Sequence, residues 1–287
     1  MTLPRETFIE ANRLRHHLVE WDGGGRTTVL CAHGFLDQAW AFRWFAEALG
    51  KGRHVVALDL RGFGQTEWVG RGGYYHFADY AIDLAEVARR VRRDRLAIVG
   101  HSMGGAVGIR LAGSIPDSLD LLVAAEGLGP PDQSPDDGPI RTARWIEVVR
   151  ALESKVIRPF PDLDAIADRI QKAAPRIPRE RALDLAPHAA REVAGGWVFR
   201  FDPMHRTTSP TPFSKVAMAA YCRRIAVPTL LVEGALSDFG LVDKEERSGW
   251  IPRARTAIVD AAGHMMHVEN PDGFALVVDG FLEEHGL

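Results

Sequence analysis

Leu96-Ala97-Ile98-Val99-Gly100-His101-Ser102-Met103-Gly104-Gly105-Ala106 is the stretch on which the fold turns. Its first four residues are an aliphatic run of the kind that fills a strand buried on both faces. A helix-compatible segment continues through Leu111. Between the two lies a G-x-S-x-G pattern, Gly100 to Gly104, which puts Ser102 on a sharp strand-to-helix turn. A serine held there has a strained backbone, and its neighbours must lack Cβ atoms for the turn to close. Gly104, Gly105, Ala106 and Gly108 extend a small-residue face that lets the helix pack close to the sheet.

Working outward, similar apolar runs recur at residues 29–32, 55–59, 121–125, 229–233 and 256–259, bounded by Gly, Pro or Asp and separated by helix-like stretches. Near-continuous apolar strands alternating with helices predict an α/β fold with a parallel sheet covered on both faces. Residues 7–10 and 13–20, flanking Ala11-Asn12, predict an antiparallel hairpin at the sheet edge, followed by a flexible Gly23-Gly24-Gly25 connector. Residues 80–93 predict a crossover helix with Leu84, Val87, Ala88 and Val91 on its buried face and Asp79 as its cap. Its Arg89, Arg90, Arg92, Arg93 and Arg95 read as solvated charges at a helix C-terminus, not as a phosphate or nucleic-acid patch.

From residue 127 to about 226 the strand rhythm lapses into prolines, acidic turns and helical stretches near 140–152, 164–173 and 179–185. A connection this long needs its own packing, which predicts a helical insertion (127–226) entered through the proline-rich 130–139 segment. The remaining 1–126 and 227–287 form the core. No internal repeat is present.

The 287 residues suit one α/β domain with an insertion, and 46% hydrophobic with 25% charged residues is a globular balance. The 35 Lys and Arg nearly cancel the 38 Asp and Glu, for a net charge of -3, so no global field favours nucleic acid or an anionic membrane. That balance favours a small neutral or weakly charged ligand. The opening Met1-Thr2-Leu3-Pro4-Arg5-Glu6 is unlike a signal peptide, and no apolar run approaches the ~18–20 residues that span a bilayer, so a cytoplasmic protein is expected. Cys31 and Cys222 are expected to be free thiols.

Three further motifs join the Ser102 turn. His33-Gly34-Phe35-Leu36 follows the first parallel strand, Asp59-Leu60-Arg61-Gly62-Phe63-Gly64-Gln65-Thr66 follows the next, and Gly263-His264 follows the last. With these motifs, spread over nearly the whole chain, the sequence resembles the α/β-hydrolase-fold family. The resemblance implies a mostly parallel central sheet with flanking helices, an inserted helical cap, and acyl-transfer chemistry. It implies that Ser102 is the nucleophile, that His264 is its base, and that the backbone N–H groups of Phe35 and Met103 form the oxyanion hole. Asp238, after the strand at 229–233, matches the family's usual acid position and gives the order Ser, Asp, His; Glu126, after the preceding strand, is the alternative acid. Asp59 and Arg61 are read as loop-holding residues, because the spacing of the nearby glycines fits neither a dinucleotide nor a Walker phosphate loop. His264 and His267 make an H-x-x-H pair, but no H-E-x-x-H or cysteine partner accompanies it, so neither a metal nor an organic cofactor is expected.

The cap position implies that the insertion shapes the substrate cavity. Trp145, Trp197, Phe199, Met204 and His205 are candidates to line it, along with His33 and the Met265-Met266 pair beside His264. An apolar cavity under a cap suits a small carboxylic ester or thioester. The same scaffold also serves lactone opening and carbon–carbon cleavage of β-diketones. Perhydrolase or haloperoxidase-like chemistry without a cofactor, and a non-catalytic ligand receptor, are the readings from other classes; an aspartate nucleophile, as in epoxide hydrolases and haloalkane dehalogenases, is excluded by Ser102.

Overall fold

The computed structural model describes residues 3–50, 52–207 and 209–287; Met1 and Thr2 of the opening stretch lie outside them. The chain begins with the strands β1 (Arg5–Ala11), β2 (Leu14–Asp22) and β3 (Thr27–Ala32), then α1 (Arg43–Leu49) and β4 (His54–Leu58). Next come α2 (Phe77–Val91), β5 (Arg95–His101), α3 (Met103–Ser114) and β6 (Leu121–Ala125). The long connection holds α4 (Gly138–Glu153), α5 (Leu163–Ala173), α6 (Arg179–Ala189), β7 (Ala190–Val193), β8 (Gly196–Phe199) and α7 (Lys215–Cys222). The chain closes with β9 (Thr229–Gly234), α8 (Lys244–Ser248), β10 (Ala254–Val259), α9 (Met266–Glu269) and α10 (Pro271–Glu284).

Eight strands form one sheet in the order β1-β2-β4-β3-β5-β6-β9-β10. The β1–β2 and β2–β4 pairings are antiparallel, and every pairing from β4 to β10 is parallel. The sheet's apolar content sorts by the two-residue period of a strand. Leu30, Val56, Leu58, Leu96, Ile98, Leu122 and Leu231 point to the face covered by α2, α3 and α7. Their neighbours Val29, Cys31, Val55, Ala57, Ala97, Val99, Val123 and Leu230 point to the face covered by α1 and α10. Cys31 and Cys222 thus belong to different core layers, both buried and both free thiols. No helix among the described residues is long and apolar enough to cross a membrane.

Two expectations are refined. The crossover helix starts at Phe77, three residues before the expected start, because Asp79 acts inside the first turn: its carboxylate accepts the His76 N–H at 3.1 Å in a capping box. Its arginines are consumed locally, Arg89 and Arg90 by Glu86, Arg92 and Arg95 by Asp120, and Arg93 by Asp22. The 127–226 insertion is also not wholly helical or wholly cap. Its β7–β8 hairpin turns through Ala194-Gly195, and α7 packs on α3, with Met218 and Cys222 in the core layer beneath the sheet.

The cap proper has its own small core, with Ile166, Ala167, Ile177, Ala182, Leu185 and Ala186 packed against Ala41 and Val268 of the main domain. A polar pin holds its exit. Asp202 accepts the Tyr75 hydroxyl at 2.8 Å, and its N–H donates to the Gly62 carbonyl at 2.8 Å. His205 stacks on Phe63 at 3.7 Å, with Tyr75 at 3.9 Å on it and the Tyr80 hydroxyl 3.2 Å from Nδ1. Burial pushes the His205 imidazole down to about 3.

The unfolded chain therefore takes up this proton first, so the stabilisation from neutral His205 is complete above the ordinary value of 6.5 and is lost as pH falls toward 3. The unfolding free energy should fall by roughly 1.4 kcal/mol per pH unit from this residue alone below that point. Denaturant titrations at pH 7 and pH 5 should show a smaller drop for His205→Phe than for the parent chain. Glycine placement gives a second test. A Cβ on Gly104 would sit 2.1 Å from the Ala32 carbonyl oxygen, so Gly104→Ala should destabilise by about 1–3 kcal/mol. Gly280, within α10 with open space around it, should instead gain about 0.5–1 kcal/mol on change to Ala in the same titration.

Candidate active site

The carboxyl ends of the parallel strands deliver the site, as is general for ligand sites of open α/β sheets. Ser102 follows β5 with φ 51° and ψ -114°, a conformation that non-glycine residues rarely hold. It persists because the turn is over-determined. The Ser102 N–H donates to the Ala125 carbonyl at 2.7 Å, and its carbonyl accepts the Ala106 N–H at 3.1 Å. Close backbone approach does the rest: a Cβ on Gly100 would lie 2.4 Å from the Gly104 oxygen.

The His33–Leu36 loop comes from β3. A Cβ on Gly34 would lie 2.8 Å from His101 Nδ1 and 3.3 Å from Ser102 Cβ, so this backbone runs directly against the serine. Met103 opens α3, where the first N–H groups have no helical acceptor. His33 is a loop clamp and not a cavity wall: Nδ1 donates to the Gly34 carbonyl at 2.7 Å and Nε2 accepts the Leu60 N–H at 3.0 Å. Asp59 is likewise structural, accepting from His17 Nδ1 and from the Ala39 and Gln65 N–H groups, while Arg61 forks onto Asp83.

His264 follows β10 and is held through its backbone. The Glu269 carboxylate accepts the N–H groups on either side of it, from Gly263 at 2.6 Å and Met265 at 3.1 Å. The His264 carbonyl accepts Nε2–H of His101 at 2.7 Å, so the residue before the serine is bonded to the histidine loop. Burial, reinforced by His267 and His264, holds the His101 imidazole well below its usual range, and it serves as a neutral donor. Neither His101 nor Glu269 is marked by a motif; their only local signal is position, beside Ser102 and five residues after His264.

The two candidate acids differ sharply in placement. Glu126 lies just past β6 with φ 53°, its side chain 5% exposed, one oxygen accepting the Gly234 N–H at 3.1 Å and the other 3.9 Å from His264 Nδ1. That Nδ1 is buried and has no hydrogen-bond partner among the described residues. The Asp238 side chain is 97% exposed, and its ion-pair partner is Arg176 at 3.8 Å. The Leu236–Phe239 loop brings Phe239, not the carboxylate of Asp238, against the His264 ring, at 4.7 Å.

Ser102, His101 and His264 open onto a cavity of about 880 Å³ between core and cap. Phe35, Phe199, Asp238 and Met265 line it too, with Ile170, Leu185, Phe201 and Phe239 among its other walls. Trp145, Trp197 and His205 are not among the lining residues. Trp145 packs on Tyr74, Trp197 pairs its backbone with Phe160 in the cap, and His205 belongs to the pin described above. The H-x-x-H pair is divided: His264 faces the cavity, whereas His267 is buried and donates to Asp37 at 3.1 Å. Asp37, His101 and His267 do approach one another within 4.8 Å, but His267 and Asp37 are bonded to each other and His101 Nε2 to the His264 carbonyl.

Comparison with known proteins agrees with this architecture. A serine hydrolase-like protein of Danio rerio is 24% identical over 92% of this chain and 83% of its own. An esterase of Mycobacterium tuberculosis is 27% identical over 98% of this chain and 90% of its own. Among solved structures, a thioesterase domain from the curacin biosynthetic pathway superposes with a TM-score of 0.87 at 25% identity, covering 96% of this chain and 99% of that one. The family described as "Alpha/beta hydrolase family" matches residues 29–276, and the strained serine turn, the strands from β4 to β10 and the cap insertion all lie within that span, so the chain belongs to the α/β-hydrolase family.

Proposed function

We propose that the protein is a serine hydrolase that cleaves a carboxylic ester or thioester through an acyl-enzyme on Ser102, with Glu126 as the acid of the triad. The observation that carries this reading is the convergence, on one cavity, of a serine in a strained elbow and a histidine whose Nδ1 has a buried carboxylate 3.9 Å away. Apo catalytic contacts of this length tighten when substrate is bound. The esterase and thioesterase relatives support the class of reaction.

In this mechanism Ser102 Oγ attacks the carbonyl while His264 Nε2 takes its proton and later returns it to the leaving group. Glu126 holds the proton on Nδ1 and stabilises the imidazolium as it forms. Backbone N–H groups of Phe35 and Met103 receive the oxyanion, and water resolves the acyl-enzyme. A carboxylate in the Asp238 position, almost wholly in water and beside Arg176, would steady the imidazolium far less than one in the Glu126 position.

Initial rates on p-nitrophenyl esters of increasing acyl length test the reading. Ser102→Ala should abolish turnover without lowering the melting temperature. Glu126→Gln should reduce kcat/KM by about 100- to 10,000-fold, as loss of the orienting acid does in such triads. Asp238→Asn should cost less than about tenfold, since an exposed charge is screened by solvent. A large loss in Asp238→Asn together with near-parental rates in Glu126→Gln would return the acid role to Asp238.

A further inference from the structure

The walls of the cavity are of two kinds. One is apolar, built from Ile170, Ile177, Leu185, Phe199, Phe239 and Met265. The cap side adds four cations, Arg169, Lys172, Arg176 and Arg206, all solvent-exposed and all lining the same space. Arg169 and Lys172 are one turn apart on α5, so they stand on one face of that helix. The helix's buried face, Ile166 and Ala167, is locked into the cap core, which fixes the direction in which the cationic face points.

Three of these four cations have no carboxylate partner among the described residues, and the fourth, Arg176, has only the exposed Asp238. The acids of α5, Asp164 and Asp168, are both taken by Arg179. Among the described residues Arg169 and Lys172 form no ion pair, and Arg206 sits over the Phe201 ring at 5.0 Å without a carboxylate. Asp202, four residues from Arg206, is occupied by Tyr75 and the Met204 N–H. Of the three acids that line the cavity, Asp37 is bonded to His267 and Glu269 to two backbone amides, leaving Asp238, at 3.8 Å from Arg176, as the counter-charge at the mouth. A cleft with one sign of charge and low-dielectric walls concentrates ligands of the other sign.

We propose that this cationic side of the cap is an anion subsite, and that the natural substrate is an ester or thioester carrying a carboxylate or phosphate group that rests there while its carbonyl reaches Ser102. The inference rests on the serine-hydrolase reading and gives it a substrate class. The volume agrees, since about 880 Å³ is near the upper end for small-molecule sites and exceeds what a short neutral ester fills. The overall charge of -3 gave no hint of it, because the cations are local and the compensating acids lie elsewhere.

The test compares matched substrates at low and high salt. Mono-p-nitrophenyl adipate against p-nitrophenyl hexanoate places a carboxylate on the acyl side. Hexanoyl-4′-phosphopantetheine against hexanoyl-pantetheine places a phosphate on the leaving group. The anionic member of at least one pair should have about tenfold higher kcat/KM in 20 mM salt, expressed mainly in KM and shrinking toward parity at 0.5 M. The favoured pair identifies which end of the substrate carries the charge. In Arg169→Gln/Lys172→Gln the anionic-to-neutral ratio should fall at least fivefold. Parity in both pairs, or a ratio that the double variant leaves unmoved, overturns the subsite.

Calorimetric titration of adipate and of inorganic phosphate into Ser102→Ala separates this proposal from the reaction assignment. If no ester turns over, yet either anion binds and that binding is lost when Arg169 and Lys172 are also changed to Gln, the subsite stands and the acyl-transfer reading falls. If no ester turns over and neither anion binds, both fall.

Discussion

Backbone contact at the β5–α3 turn is the constraint on which the rest depends. Gly100 meets Gly104 across the turn, Gly104 meets the Ala32 carbonyl at the end of β3, and Gly105 meets Gly127 beyond β6. Three neighbouring strand ends are thereby drawn to within backbone distance of one helix. The serine at the centre is left in an unfavourable conformation that the surrounding contacts maintain. The Gly34 loop and Glu126 leave the two flanking strands, β3 and β6: the loop runs against the serine, and the Glu126 carboxylate reaches Gly234 and the His264 ring.

Histidine placement is solved differently. No packed element directly carries His264; it sits on a loop whose backbone is held by the Glu269 carboxylate from one side and His101 from the other. The His101 bond joins the Ser102 turn to the His264 loop. It couples the two loops through a buried neutral imidazole that needs no counter-charge. Several polar groups close to the site in sequence or in space are spent on holding it: His33, Asp59, Arg61 and His205 are all structural.

The cap combines an apolar underside with a charged mouth. Its helices α5 and α6 pack on Ala41 and Val268 of the main domain, and its exit is pinned by Asp202 and His205. The roof of the cavity is therefore supported at two separate places, and the loop bearing Leu236–Phe239 closes one side against His264.

The sequence by itself determined the succession of apolar runs, the position of the insertion, and the serine turn, because these depend on local periodicity and on a glycine spacing that few other turns require. His264 was singled out by the family resemblance, as the histidine after the last strand. Only the tertiary structure decided between Asp238 and Glu126 as neighbours of that histidine. Both stand just beyond a strand, and nothing in their flanking residues says that one is in water beside Arg176 while the other is buried against Gly234. Side-chain direction after a strand end is set by loop closure across the sheet, a long-range property. For the same reason Trp145, Trp197 and His205, large and near the cap in sequence, face other partners, and the cationic mouth, assembled from α5 and from Arg206, more than thirty residues downstream, became visible only when the chain was folded.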